Sequence, residues 1–328
     1  MKNQHWVWLA LVTALLTYSC RSKQRQEGVP VVGFVEAFED ATIAAARQGF
    51  TDALRDGGYS EDGGTLKIIY RNAQGDAAAL NQIISYFNSQ QVDVIGTSTT
   101  LATLAAVQRN KHIPIFQTVT AMPDLLGVLD TDGTPPVNLF GTGESLNYID
   151  TSFAIITKTV KPKGERLTVG MIYNQSEPQS VDAYKRIAEL AEDMDARVVA
   201  LPLNSSAEAQ LVVRSLLTNR IDAFFANPDN TVFAAFETIL KNCNDQNVPV
   251  FTSESGLVAR GAVAAFGADI YQWGYQSGRQ AASYLASGTG DGLHVEMVKV
   301  RKRVYHPGAA KRFGFTFPAG FEPISAGR

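Results

Sequence analysis

From Val31 onward, short unbroken apolar runs alternate with longer stretches in which apolar positions recur every three or four residues. VVGFV (31–35) reads as a buried strand. The segment after it spaces Ile43, Ala46, Phe50 and Leu54 as one helix face and stops at Gly57 and Gly58. The unit recurs, with strands predicted at 66–71, 92–98, 113–119 and 137–141, and a second series at 167–174, 196–203, 222–227, 248–253 and 262–267. Because the runs are continuous, helices must cover both sheet faces, as in parallel sheets. The predicted fold is α/β: two doubly wound parallel-sheet lobes joined by a hinge.

In such sheets the ligand crevice lies beyond the carboxyl ends of the strands, where the strand order reverses. Small polar residues stand at those ends: Thr97, Ser98, Thr99, Thr100, Thr118 and Thr120 in the first series, and Asn174, Ser176, Glu177, Asp229, Asn230, Ser253, Glu254 and Ser255 in the second. The same residue types are the commonest helix N-caps, so each is a candidate for capping, for ligand contact or for both. A helix start with free N–H groups is also an anion site, and a ligand carboxylate would suit the turn at 97–100.

The start of the chain adds a location. Lys2 precedes an apolar run from Trp6 to Tyr18, followed by Ser19 and Cys20. That run is shorter than the ~17–25 residues a bilayer span needs, so it reads as a cleaved lipoprotein signal with Cys20 as the lipidated residue; ordinary secretion or a plain anchor are the alternatives. The Leu usual three positions before such a cysteine is here Thr17, with Leu16 one place earlier. Removing residues 1–19 takes away Lys2 alone and leaves 28 basic and 32 acidic side chains, a net charge of −4. That balance argues against nucleic acid as a partner. With Cys20 lipidated, Cys243 has no partner for an intrachain disulfide, and packed cores alone must hold the fold.

Groups that carry catalysis are scarce. His112, His294 and His306 stand at no metal-ligand spacing, and there is neither a GxSxG elbow nor a phosphate-binding loop. GTGES (141–145) lacks the third glycine of a dinucleotide fingerprint and reads as a turn, while Cys243 reads as a small buried thiol. The expectation is a binding protein without cofactor or metal, not an enzyme.

NAQGD (72–76), YNQSEPQS (173–180), DAFFANPDNTV (222–232) and the segment 248–285 occur in the order, and over the length, of one known group. The chain resembles the tryptophan/tyrosine-type ABC substrate-binding family, within the type I solute-binding proteins of ABC importers, across residues 30–300. The resemblance implies a small-molecule solute, an aromatic amino acid by family habit, held between the lobes and handed to a permease and its ATPase. It further implies a monomer at the cell envelope, with the membrane reached through the lipid anchor. Its matching site positions are Thr97, Ser98, Thr99 and Thr118 on the first lobe and Asn174, Glu177, Asp229, Asn230, Ser253 and Glu254 on the second.

The solute carboxylate would go to Ser98, Thr99 and Thr118, and its ammonium to Asp229 with Asn174 or Glu177. Phe38 and Tyr173 are the candidate aromatic walls, although Phe38 suits loop packing equally well. Relatives carry a His-Pro pair after the first strand where this chain reads EAFEDAT (36–42), a departure that includes Phe38 and Glu39 and falls where the ligand's variable part would sit. Expected boundaries are a signal at 1–19, a tether at 20–30, a first lobe of 31–144 plus 269–290 and a second of 145–268 plus 291–328. Crossovers are expected near Gly141–Asn147, Gly267–Ile270 and Gly288–Leu293. A sensory module using the same closure is the alternative from another class.

Overall fold

The computed structural model describes residues 28–324. The signal segment, Cys20 and tether residues 21–27 lie outside the described residues, as do 325–328. The first lobe runs β1 (Val31–Glu36), α1 (Ala41–Asp56), β2 (Lys67–Asn72), α2 (Ala77–Gln90), β3 (Val94–Ser98), α3 (Thr100–Arg109), β4 (Ile115–Thr118) and β5 (Leu139–Gly143). The second runs α4 (Asn147–Thr159), β6 (Leu167–Tyr173), α5 (Pro178–Asp193), β7 (Ala196–Pro202), α6 (Ala209–Leu217), β8 (Ala223–Ala226), α7 (Asn230–Ala234), α8 (Phe236–Asp245), β9 (Val250–Thr252), α9 (Ser255–Ala259) and β10 (Ala264–Ala268). The chain then returns through α10 (Ile270–Ser287) and β11 (Val295–Met297), and ends with β12 (Arg301–Tyr305), α11 (Pro307–Phe313) and β13 (Glu322–Pro323).

The first sheet has six parallel strands in the order β2-β1-β3-β4-β5-β11, and the second has four in the order β7-β6-β8-β9. Both reverse direction at the same relative place, beside β1 and beside β6, so both crevices open at equivalent points. All ten predicted strands form. The last of them differs in its partners: β10 pairs antiparallel with β12 in a separate three-stranded sheet closed by β13, and the hydrogen bond from Val263 N to Val250 O (2.6 Å) ties its approach to β9.

Three short links join the lobes: 144–146 after β5, Asp269 after β10, and 298–300 after β11. The first two fall where glycine suggested them. The third corrects the expectation at Gly288–Leu293, which is a turn inside the first lobe, because β11 pairs with β5 at the edge of the first sheet. Residues 291–297 therefore belong to the first lobe and not, as expected, to the second. A bidentate ion pair spans the links, with Arg301 donating to Glu144 at 2.7 and 3.1 Å. Glu144 is almost wholly buried, and burial raises its pKa against the opposing pull of the guanidinium.

Helix α1 begins where Asp40 Oδ1 accepts from the N–H groups of Thr42 (2.8 Å) and Ile43 (3.1 Å), and it buries the predicted Ile43, Ala46, Phe50 and Leu54. Asp76 caps α2 in the same way, through Ala79 N at 2.8 Å. Cys243 is free and buried, its thiol pushed up to about 12 by desolvation. Among the described residues no helix is long and apolar enough to cross a membrane.

Helices α1 and α10 meet backbone to backbone. A Cβ placed on Gly49 would lie 2.0 Å from Tyr271 O, one on Gly274 1.8 Å from Ala46 O, and one on Gly278 2.4 Å from Phe50 O. No side chain stands between the two helices at these points. Alanine at 274 would gain about 1 kcal/mol of helix propensity, but the carbonyl it meets cannot rotate away, and overpacking of this kind costs about 1–3 kcal/mol or more. Gly274→Ala is therefore expected to lower the urea midpoint of unfolding, and a raised midpoint would refute the close contact.

Candidate ligand-binding site

The carboxyl ends of β3 and β4 face those of β6, β8 and β9 across the lobe boundary. Between them lies a cavity of about 30 Å³ whose walls come from both lobes. Five of the strand-end residues predicted from sequence reach it: Thr99, Thr100, Asp229, Asn230 and Glu254.

The first-lobe wall is strained. Thr99, between β3 and α3, has φ 81° and ψ 161°, a region that essentially only glycine visits at low cost. Val119, after β4, has φ 49°, unusual for a β-branched residue. Both line the cavity. A hydrogen-bonded frame holds them: Thr99 N donates to Thr118 O (3.1 Å), the Thr118 hydroxyl donates to Thr97 O (3.1 Å), and Thr97 and Thr103 share a hydroxyl pair at 2.9 Å. Thr97 and Thr118 thus build the frame, and Ser98 lies behind it, its Oγ buried without a partner. Thr99 Oγ1 is likewise buried and unpartnered, but it belongs to the cavity wall at the start of α3.

On the second lobe Asp229 is a structural hub. Its Oδ1 accepts from Thr231 N (2.8 Å) and Val232 N (2.9 Å), capping α7, and its Oδ2 accepts from Asn174 N (2.7 Å) and from the Ser180 hydroxyl. Glu177 accepts from the side chains of Asn174 (3.2 Å), Asn230 (2.6 Å) and Thr231 (3.3 Å). Burial, and then the charge of Asp229, push the Glu177 carboxyl up to about 7. Burial raises Asp229 as well, yet its four donors favour the charged form.

Glu254 is fully enclosed. Its Oε1 accepts from the Tyr148 hydroxyl at 3.1 Å and, more weakly, from Ser253 Oγ at 3.5 Å, while its Oε2 is buried without a partner. Desolvation lifts its pKa to about 8, with the nearby Glu144 charge adding to the rise. Glu254 therefore favours its protonated form at neutral pH.

Of the other predicted site residues, Thr97, Ser98, Thr118, Asn174, Glu177 and Ser253 do not line this cavity, and three more lie away from it. Phe38 is buried in the hydrophobic cluster behind the site, Glu39 is exposed outside it, and the Tyr173 ring stacks on Tyr184 at 4.7 Å instead of facing the cleft. The loop packing considered for Phe38 is what forms, and the register of β6 turns Tyr173 toward α5. The walls come instead from Tyr148, Phe233 and Trp273, with Ile43. Tyr148 and Trp273 occupy the first turns of the helices entered after the first two crossovers, and an aromatic residue just past a predicted crossover is the signal that could have found them. Trp273 is pinned by its indole N–H, which donates to Thr142 O at 3.1 Å.

The lobes also touch directly. The Thr100 hydroxyl donates to Gln179 Oε1 at 2.7 Å across the cavity, and Gly256 of α9 abuts the Thr42 side chain of α1, where a Cβ would come within 1.8 Å. Among the described residues no group of three or more His, Cys, Asp or Glu side chains is arranged to hold a metal ion.

Residues 29–321 match the profile of the family described as ABC transporter substrate binding protein. The chain is 32% identical over 254 residues to a "Tyrosine-binding protein" of Clostridioides difficile (strain R20291), covering 77% of this chain and 72% of that protein. Among solved structures it is similar to a conserved domain protein of Vibrio cholerae (27% identity, TM-score 0.80, 90% of this chain and 99% of the other). It is similar in fold to an ABC domain in complex with L-Trp from Streptococcus pneumonia (20% identity, TM-score 0.81, 90% and 99%). A ligand-free, open substrate-binding protein with adhesive properties from Clostridium difficile is similar at a TM-score of 0.67 (26% identity, 91% and 100%). Two lobes of the same winding meeting at their strand ends, together with the match over nearly the whole described chain, make this protein a member of the ABC transporter substrate-binding family.

Proposed function

We propose that the chain is the extracytoplasmic receptor of an ABC importer, taking an aromatic amino acid between its lobes and presenting it to a permease. The observation that carries this reading is a pair of buried polar atoms without protein partners, Glu254 Oε2 and Thr99 Oγ1, at one cavity walled by Tyr148, Phe233 and Trp273. A free amino acid needs an anionic acceptor for its ammonium, donors for its carboxylate and an apolar wall for its side chain. Glu254 supplies the first, Thr99 and the start of α3 the second, and the aromatic residues the third. Asp229 is the poorer ammonium acceptor because four donors already occupy its oxygens. The relative named for tyrosine binding supports the ligand class.

A cavity of about 30 Å³ holds little more than a water molecule, so a solute enters by hinge opening and replaces the Thr100–Gln179 contact on closure. Lipid on Cys20 would hold the protein at the envelope. The eleven residues from there to β1 reach at most about 40 Å, and a single folded copy opening and closing on that tether suffices for delivery. No step requires turnover of the solute.

Four outcomes test the reading. In calorimetry on the solute-free mature protein, Tyr, Trp or Phe binds, and Glu254→Gln weakens that binding at least tenfold, about 1.4 kcal/mol; unchanged affinity in the variant would sink the assignment. Ionising Glu254 on binding releases its proton, so near pH 6 the binding enthalpy varies with the buffer's ionisation enthalpy, and this dependence vanishes in Glu254→Gln. Without solute, the raised pKa values of Glu254 and Glu177 favour the native state below about pH 4.5, and that contribution is lost as pH rises through about 7 and 8. Chemical denaturation should show stability falling over that range, with a shallower fall in Glu254→Gln. Finally, Thr99→Gly relieves backbone strain of about 1–3 kcal/mol against a glycine entropy cost of roughly 0.5–1 kcal/mol, so it should stabilise the protein while weakening solute binding.

A further inference from the structure

The loop at 36–42, singled out in the sequence, lies outside the cavity walls. Glu36 bonds within the first lobe, to Arg47 (3.0 Å), to Asn72 (3.4 Å) and to the Tyr70 hydroxyl (2.6 Å). Asp40 makes a hydrogen bond across the boundary. Its Oδ1 caps α1, and its Oδ2 accepts from Arg260 Nη1 of the second lobe at 2.5 Å. Arg260 follows α9 and is held in place by its own lobe: its Nε and Nη2 donate to Glu237 at 2.8 Å each, Nη2 donates to Phe233 O at 3.3 Å, and the guanidinium lies 5.1 Å from the centroid of the Phe236 ring.

We propose that Asp40 and Arg260 form a latch between the lobes, a positioning pair that sets the fraction of closed molecules, and with it the affinity, without touching the solute. This rests on the hinge closure proposed above but not on the identity of the solute. The pair suits a reversible latch because neither group is orphaned when the lobes part: Asp40 keeps its helix cap and Arg260 keeps Glu237, Phe233 O and Phe236. Its setting lies between two extremes. The Arg260 side chain is 18% and the Asp40 side chain 4% exposed, so the pair is better shielded than the surface pairs that contribute little. Yet Arg260 also lines a groove of about 470 Å³ shared by α1, α9 and β12, which brings water to one edge and spares the full cost of burying charge. The apparent dissociation constant scales inversely with the binding-competent fraction, so a pair remote from the solute still adjusts affinity. The lobes also meet here through Thr42 and Gly256, which places the latch beside the tightest contact between them.

The test reads the distance between the lobes directly. In the mature chain with Cys20→Ser, dyes on Gln82→Cys and Gln246→Cys, exposed on the first and second lobes, report closure by single-molecule energy transfer. Asp40→Asn retains a capping oxygen, and Arg260→Met retains the apolar stem. Each is expected to lower the solute-free closed fraction severalfold at 0.1 M salt, the double variant to go no further, and 1 M salt to move the wild type toward the variants while leaving them unchanged. Arg260→Lys, which keeps the charge but cannot fork between Glu237 and Asp40, should fall in between and guards against a folding defect in Arg260→Met. An unchanged closed fraction in both singles, or strictly additive losses in the double, would overturn the latch. Because this readout needs no solute, failure of amino-acid binding leaves it decisive. Where an amino acid binds, its affinity should fall by the same factor as the closed fraction, and an affinity loss with unchanged closure would also overturn the proposal.

Discussion

Two helices from opposite ends of the chain touch through their backbones, and the geometry of the lobe boundary follows from that contact. With Gly49, Gly274 and Gly278 leaving no side chain between them, α10 sits against α1 at a separation that neither helix can increase without losing the packing on both. Helix α1 starts at Asp40, beside the second lobe, and α10 starts at Asp269, on the second crossover. One contact inside the first lobe thereby fixes two positions on the boundary, the latch residue Asp40 and the cavity residue Trp273. The Glu144–Arg301 pair fixes the other two crossovers relative to each other. The links between the lobes are short, and two of them are tied by that pair.

The cavity is built around the expense of burying carboxyl groups. Three acidic side chains, Glu177, Asp229 and Glu254, stand within the second lobe's strand ends, and each meets that cost differently. Asp229 collects four donors, Glu177 gathers donors from Asn174, Asn230 and Thr231 while burial and then the Asp229 charge raise its pKa, and Glu254 is raised by burial with its outer oxygen facing no protein donor. Only the last arrangement leaves an acceptor to be claimed from outside. The strained turns at Thr99 and Val119 sit opposite, held by threonine hydroxyls that are themselves fully bonded. Rigidity on one side and an uncommitted carboxyl on the other suit a site that closes on a small charged guest.

Much of the architecture was legible in the sequence because buried parallel strands must be continuous apolar runs, and all ten such runs became strands. The strands that were missed, β11, β12 and β13, are short or charged (VEM, RKRVY, EP) and gain their order from tertiary pairing. Missing β11 displaced both the third crossover and the lobe boundary. At the site, strand-end logic located Thr99, Asp229, Asn230 and Glu254, since topology alone brings those positions together. It could not rank them, because a sequence shows a carboxylate but not how many of its lone pairs are already taken. Nor could it orient Tyr173, whose direction depends on strand register, or place Tyr148 and Trp273, which enter on helices. The departure at 36–42 was visible as a motif, and its partner Arg260, 220 residues away, was not.

The second crossover and the edge strand β11 together mean that the first lobe is made of the beginning of the chain and of residues beyond 269, with the second lobe's strands β6 to β10 inserted between. During synthesis, β5 emerges long before β11, and α1 waits more than two hundred residues for the helix that covers it. The lobe begun first is completed only after β6 to β10 of the second have been made, and β12 and β13 then finish the second. A chain built this way cannot complete its first lobe until α10 and β11 have been made, and until then α1 and the edge of β5 stay uncovered.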